Sequence, residues 1–341
     1  MSPRSPSFNG SGVKEITTGG MENYAGQFII EESGKITGTY ISGSPTYQYY
    51  VSLFRSLPDG TPDVSFGGDG YVEYNICGTI CTALSLRKIN NLYYVIAYEA
   101  GTNFVTLLRL EADGDLDPTM PVRKFDPDPN ANYGIRAVEL KFDGTYLYAL
   151  YQTDWQYEPA DDTDYVLCKF DLDGNSVLAF GGTGCLVIYA NNSKTTTLAL
   201  LTIDDSTNSL FLSGFKNNVP VVTKLDRTTG AIVSGFGTDG NLFLSDYSRI
   251  VGLELHADLG LMTCGEYLDG GKKTYAIDLY KAQDGSKPQE NRLKERFVGS
   301  VHATADFIPD NWIVKGQTIF VNGMLQDGAA TVLNQKLKFN D

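Results

Sequence analysis

Residues 50–74 read YVSLFRSLPDGTPDVSFGGDGYVEY, and this stretch decides the fold. Tyr50 to Ser56 alternates apolar and polar side chains, as a half-buried strand does. Asp59-Gly60 is a turn pair. A short spacer leads to Phe66-Gly67-Gly68-Asp69-Gly70, where glycines supply the positive φ of tight connections. Tyr71 to Tyr74 then begins a second short strand. The pattern returns as AFGGTG at 179–184 and GFGTDG at 235–240, with a variant, SFNGSG, at 7–12. The phenylalanines fall at 8, 66, 180 and 236, with gaps of 58, 114 and 56, and 114 is twice 57.

Turn pairs keep the same beat at Asp59-Gly60, Asp113-Gly114, Asp173-Gly174, Thr229-Gly230 and Asp284-Gly285. In three copies the turn glycine stands six residues before the phenylalanine. Six residues after Gly114 stands Met120, an apolar replacement, and six after Gly285 stands Asn291, so the fifth copy is eroded. Upstream of each turn lie further apolar runs, at 92–98, 147–151, 210–214, 261–265 and 319–323. Four strands in about 57 residues is the signature of a propeller blade. Six such units fill 341 residues.

The expected fold is therefore all-β: a single six-bladed β-propeller of four-stranded antiparallel blades. The blades are placed at about 24–74, 75–127, 132–189, 195–245, 247–299 and 303–341, the last completed by 7–17. The chain ends support that closure. TVLNQKLKFND, 331–341, resembles a third strand that stops where its turn should be. Residues 7–17 resemble the missing motif and fourth strand. Closing three strands from one end with one from the other removes free sheet edges.

The pattern resembles the delta-60 repeat of bacterial and phage proteins: alternating strand, basic residue, Asp-Gly, spacer, Ser-Phe-Gly-x-x-Gly. Arg55 to Gly70 carries it most fully; Glu111 to Met120, Lys169 to Gly184 and Lys224 to Gly240 follow with substitutions. The family's Leu-Asp before Ser-Phe stands as Pro-Asp-Val at 62–64 and Leu-Asp-Pro at 116–118. The resemblance covers about four units of six. It implies a propeller scaffold and no reaction, because no catalytic residue belongs to the motif.

Composition narrows the partners. Forty-one acidic against 27 basic residues give a net charge of −14, which argues against a nucleic-acid binder. No apolar run approaches the roughly 18 residues of a membrane helix, so no membrane insertion is expected. The opening MSPRSPSFNGSG has no apolar stretch of a signal peptide. Synthesis in the cytoplasm and assembly into a virion is the expectation. Five cysteines without finger-like spacing point to reduced thiols rather than a disulfide framework. Cys77 and Cys81 lack the second pair of a zinc site. Cys168 and Cys185, on the third and fourth strands of one blade, are candidate cross-strand neighbours, though strand position alone establishes no disulfide. Cys264 reads as buried filler. His256 and His302 are too few to assemble a general-base or metal set.

The motif glycines read as backbone devices, and the motif Phe or Met as a plug between blades. The recurring Arg55, Arg109, Lys169 and Lys224 read as outer-face strand residues or as partners of turn carboxylates. Asp69, Asp113, Asp173 and Asp239 read as turn caps. DGDLD at 113–117 imitates an EF-hand start but lacks the later glutamate and flanking helices.

Chemistry is expected on two neighbouring loops. FDPDPNANYG at 125–134 carries Asp126 and Asp128. YQTDWQYEPADDTD at 151–164, the longest insertion, carries Tyr151, Asp154, Trp155, Tyr157, Glu158, Asp161, Asp162 and Asp164. Long loops on rigid scaffolds are enriched in function. Aromatics of this kind stack on sugars or anchor protein partners. Asp126, Asp128, Asp161 and Asp162 are candidate oxygen ligands for Ca²⁺, the one cofactor considered. The leading expectation is a non-catalytic interaction or structural platform of a bacteriophage virion, bound to other proteins of the particle and to cell-surface glycan. The first alternative is a carbohydrate- or lactone-active propeller enzyme using acidic loop carboxylates. The second is a bacterial surface repeat protein.

Overall fold

The computed structural model describes residues 23–43, 49–76, 81–99, 102, 104–127, 135–153, 163–190, 200–217, 219–257, 259–269, 271–288, 296–298, 306–315, 318–326 and 330–338. Among them there is no helix. Strands β1 (Asn23–Ile30), β2 (Ile36–Gly43), β3 (Tyr49–Ser56) and β4 (Tyr71–Tyr74) form the first antiparallel meander. The second is β5 (Cys81–Ile89), β6 (Leu92–Glu99), β7 (Val105–Leu110) and β8 (Arg123–Phe125). The third is β9 (Ile135–Phe142), β10 (Leu147–Thr153), β11 (Thr163–Phe170) and β12 (Cys185–Ala190). The fourth is β13 (Leu201–Asp204), β14 (Ser209–Lys216), β15 (Val219–Asp226) and β16 (Asn241–Phe243). The fifth is β17 (Tyr247–His256), β18 (Gly260–Asp269), β19 (Lys272–Tyr280) and β20 (Arg296–Val298). The last sheet has three strands, β21 (Asp306–Lys315), β22 (Thr318–Gln326) and β23 (Ala330–Lys338). Residues 7–17, expected to complete it, lie outside the described residues.

Two compact units divide the chain. One comprises Met1–Glu158, Asp164–Leu178 and Thr183–Ile188; the other comprises Pro159–Thr163, Ala179–Gly182 and Tyr189–Asp341. In the first unit, Phe66 is fully buried with Val51 and Leu53 of the first sheet and Tyr93, Val95 and Leu108 of the second. Its ring meets Tyr93 edge-on at 5.8 Å. In the second unit, Phe236 is buried with Phe211 and Val222 of the fourth sheet and Leu253, Leu261 and Ala276 of the fifth. The motif aromatic therefore packs between successive sheets, as its spacing implies.

Backbone geometry follows the repeat. Gly67 has φ +65 and donates its N–H to Asp113 O at 2.8 Å, in the next repeat's turn. A Cβ there would lie 1.9 Å from Tyr71 O, so glycine is required. In the second unit, Gly181 donates to Thr229 O and Gly237 to Asp284 O, both at 2.9 Å. The second repeat has Pro121 in place of Gly67 and therefore no N–H for this bond. There Arg123 Nη2 reaches the following turn instead, at Asn175 Oδ1, 3.0 Å.

The recurring basic residues are buried, not on an outer face. Arg55 Nε donates to Asp63 Oδ2 at 2.7 Å and Nη2 to Ser65 Oγ at 2.8 Å. Its Nη1 donates to Tyr93 Oη at 3.1 Å and to Ala112 O of the next repeat. Arg109 repeats this set: Asp117 at 2.8 Å, Thr119 at 2.7 Å, and Leu172 O at 2.6 Å. The alternative reading, partners of carboxylates, holds for these two. At the lysine copies the backbone aligns Val177 and Val233 with Asp63, because each donates to the carbonyl of its own basic residue. Lys224 Nζ donates to Ala282 O at 2.7 Å and lies 5.3 Å from the Phe211 ring centre. Lys169 Nζ lies 4.2 Å from the Tyr146 ring centre. Arginine thus travels with Asp and Ser/Thr, and lysine with Val and a small residue. A planar fork needs several acceptors; a compact ammonium is served by a carbonyl and ring faces.

Cys168 and Cys185 form a disulfide between β11 and β12, which corrects the expectation of reduced thiols. The two strands lie side by side, and that pairing brings residues 17 apart into bonding range. Cys264 is a buried free thiol, pushed up by burial.

Asp63→Ala would leave a buried guanidinium without its carboxylate, and a loss of about 3–5 kcal/mol is expected from urea unfolding. Burial pushes the Asp63 carboxyl up, but the bonds from Lys35 and Ser65 and the Arg55 charge hold it well below the usual range. Its stabilisation is therefore complete at neutral pH and is lost as pH falls below the unfolded-state value toward the folded one. An acid titration of stability should be shallower in Asp63→Asn than in the parent; equal slopes would contradict this. Reducing the disulfide should lower stability by about 3 kcal/mol, from the chain entropy of a loop this short. Intact mass after alkylation, with and without reductant, checks that two thiols are released.

Candidate functional site

The two acidic loops fall mostly beyond view. Asp128, Asp154, Trp155, Tyr157, Glu158, Asp161 and Asp162 lie outside the described residues. Asp164 stands on β11, one residue after its start. Asp126 follows β8 and is half-buried. Tyr151 belongs to the core rather than to a loop: it is fully buried on β10, with Val105, Leu107 and Val166. Its ring meets Phe125 edge-on at 6.2 Å. Its hydroxyl has no hydrogen-bond partner among the described residues, and burial pushes the phenol up. Among the described residues no three acidic, His or Cys side chains gather as a metal site.

Concavities are found at the other ends of the strands, where first strands turn into second strands. In the second unit, a cleft of about 630 Å³ is lined by Asp204, Asp205, Ser206, His256, Lys281 and their neighbours. Its carboxylates are already engaged. Asp204 accepts from Ser206 Oγ at 2.6 Å and Thr207 Oγ1 at 2.5 Å, and Asp205 pairs with Arg227. Despite burial, which pushes it up, those bonds hold the Asp204 carboxyl low. This arrangement caps a turn.

In the first unit, a cleft of about 620 Å³ lies between the β1–β2 connection and the β5–β6 turn. Ile29, Ile30, Glu31, Glu32 and Ser33 line one side; Arg87, Lys88, Asn90 and Asn91 line the other. Asn90 and Asn91 both hold left-handed backbone, φ 50 and 67. Asparagine tolerates that region better than most residues, so a two-residue hairpin forms there. Lys88 Nζ is bound to Glu31 Oε2 at 2.6 Å. Glu31 Oε1 also accepts from Tyr93 Oη at 2.5 Å and Thr37 Oγ1 at 2.7 Å. Burial pushes Glu31 up, and these three partners outweigh it, so the carboxyl sits below its usual range. Tyr93 also accepts from Arg55, which ties the cleft to the buried Arg55–Asp63 pair.

Arg87 has a different environment. Its Nη1 donates to Gln27 Oε1 at 3.2 Å and Leu86 O at 3.0 Å. Its ion pair among the described residues is Glu139, at 3.9 Å, and Lys141 holds the same carboxylate at 2.9 Å. Burial pulls the guanidinium down from its usual range, with Glu139 only partly opposing. Gln27, Ser85, Arg87, Glu139 and Lys141 thus join the first strands of three successive sheets. Ser85 Oγ donates to Gln27 at 2.6 Å and accepts the Leu140 N–H at 3.0 Å. A bulge between Ala83 and Ser85 helps aim this stretch of β5. Sequence reasoning looked to the long loops and missed this cleft. The signal available was the run LRKINN, 86–91: a basic pair entering an Asn-Asn turn.

No family model and no curated protein matches the chain. Solved structures do. An ulvan lyase of polysaccharide lyase family 25 is similar with a TM-score of 0.55 at 10% identity, covering 91% of this chain and 78% of that one. The same kind of lyase bound to a repeat of glucuronate and rhamnose 3-sulfate gives 0.54, with identical coverage. An arabinanase of Bacillus subtilis is similar at 14% identity and TM-score 0.34, covering 74% of this chain and 93% of that one. The lyase likeness shows the fold, a β-propeller. The expectation of a non-catalytic virion component without enzymatic activity is corrected by the lyase likeness, because the protein whose fold this chain shares is named as an enzyme that acts on a polysaccharide.

Proposed function

We propose that this chain is a carbohydrate-active propeller protein that cleaves a polysaccharide. The observation that carries the reading is the shared fold, over 91% of the chain, with a lyase that acts on an acidic polysaccharide. The insertion at 151–164 supports it chemically. It offers several carboxylates, from which an acid and a base can be drawn, and two loop aromatics suited to stacking on sugar rings. Every Asp or Glu with a resolved shift among the described residues lies below its usual range. Such groups stay ionised at neutral pH and do not serve as general acids. In this reading the proton donor is placed in the insertion, at Glu158, Asp161 or Asp162.

The six-bladed ring and its resemblance to the delta-60 repeat belong to the same proposal. In it, residues 7–17 add the fourth strand to β21–β23 and close the circle. The three strands already in that sheet support this.

The test is a panel of acidic and neutral polysaccharides, followed both by new reducing ends and by the ultraviolet absorbance of unsaturated uronates. Release from at least one is expected, with Asp161→Asn/Asp162→Asn or Glu158→Gln slowing kcat about 100-fold or more. No product from any member of the panel would sink the reading. For the ring, deleting residues 1–17 should lower the calorimetric Tm by several degrees, and an unchanged Tm would exclude closure by this segment.

A further inference from the structure

We propose that the cleft beside Arg87 binds the anionic group of an acidic polysaccharide unit, a uronate carboxylate or a sulfate ester. Arg87 takes the anion, the amides of Asn90 and Asn91 take flanking hydroxyls, and Ile30 meets the apolar face of the ring. The anion part rests on geometry alone; the sugar part rests on the carbohydrate reading above.

Three observations carry it. First, the two cations of the cleft are not equivalent. Lys88 is neutralised by Glu31 at 2.6 Å. Arg87 has its carboxylate at 3.9 Å, and that carboxylate is shared with Lys141. A guanidinium with only 23% of its side chain exposed ordinarily finds a close, bidentate acceptor. Arg109, in the same sheet, does so with Asp117 and Thr119. Arg87 does not, and it lines open space. The downward pull of burial on Arg87 agrees: a bound anion would relieve it. Second, the cleft has the size and make-up of a small-ligand site. Its volume is about 620 Å³, within the usual range for such sites, and apolar Ile29 and Ile30 lie opposite polar groups. Ile30 is 69% exposed, although it sits on a strand beside a core. Third, Asn90 and Asn91 are held in a hairpin turn, so their amides are presented at fixed positions on the rim. Amides and a guanidinium over an aliphatic surface match the hydroxyls, anion and C–H face of an acidic sugar.

Calorimetric titration tests this with three probes of equal length: an oligoglucuronate, a sulfated oligorhamnose without uronate, and a neutral oligorhamnose. Binding of one or both acidic probes is expected, and which one binds identifies the anion. Arg87→Gln should weaken that binding at least tenfold. Asn91→Gly keeps the left-handed turn while removing an amide, and should weaken it several-fold. The neutral probe should not distinguish Arg87→Gln from the parent. Undiminished acidic binding in Arg87→Gln, or no binding of either acidic probe to the parent, overturns the proposal. Turnover by the same variants separates the two readings. Cleavage without Arg87-dependent binding removes only this site. Arg87-dependent binding in a chain that cleaves nothing supports this site and removes only the enzymatic reading.

Discussion

A buried cation tied to the backbone of the following repeat is the interaction on which the rest of this structure depends. A four-stranded meander of about 57 residues cannot bury both faces by itself. It needs its neighbour, and the neighbour must be held in register. Arg55 on Ala112 O, Arg109 on Leu172 O and Lys224 on Ala282 O supply that register. Each charge lies in a low-dielectric setting, where a lost partner is expensive. Slippage between repeats is therefore penalised far more than hydrophobic contact alone would penalise it.

The fifth sheet buries a charge of the opposite sign, held within its own repeat. Gly285 donates to Lys281 O as Gly230 donates to Asp226 O, which places Leu279 where Lys224 stands. The cation is gone from that position. Beside it, Asp278 is fully buried and accepts from Tyr247 Oη at 2.6 Å and Lys287 Nζ at 2.5 Å. An acid on the strand and a base beyond the turn replace a base on the strand and an acid beyond the turn. What the repeat retains is a neutralised buried charge; its sign is free to change.

Legibility differed between scaffold and site for physical reasons. Turn glycines, motif aromatics and alternating strands are local requirements, so Gly60, Phe66 and Val51 announce themselves in order. The buried arginines were misplaced on an outer face because alternation identifies two faces without saying whether the second is covered. Their acceptors, Asp63 and Asp117, stand eight residues on, a distance at which strand periodicity carries no signal. The disulfide was left open for a related reason: Cys168 and Cys185 are 17 residues apart and meet only because β11 and β12 lie side by side. Tyr151 illustrates the opposite error. Its place at the head of an acidic, aromatic insertion suggested exposure, whereas β10 carries it into the core.

By itself the sequence determined a β-rich repeat with four strands to a unit, the turns that separate them, and the apolar side chain, Phe or Met, that the motif buries between sheets. These follow from φ preferences and from a period of two, both of which act between near neighbours in the chain. Tertiary structure alone decided which charges are satisfied and which are not. Arg87 and Arg109 look alike in sequence, each on an apolar strand. One finds Asp117 and Thr119 in its own connection; the other, on a first strand, meets Gln27 and Glu139 of adjacent sheets and the neighbouring Leu86 carbonyl. For Arg87 the partners Gln27 and Glu139 stand more than fifty positions away in the chain, and no local pattern encodes them.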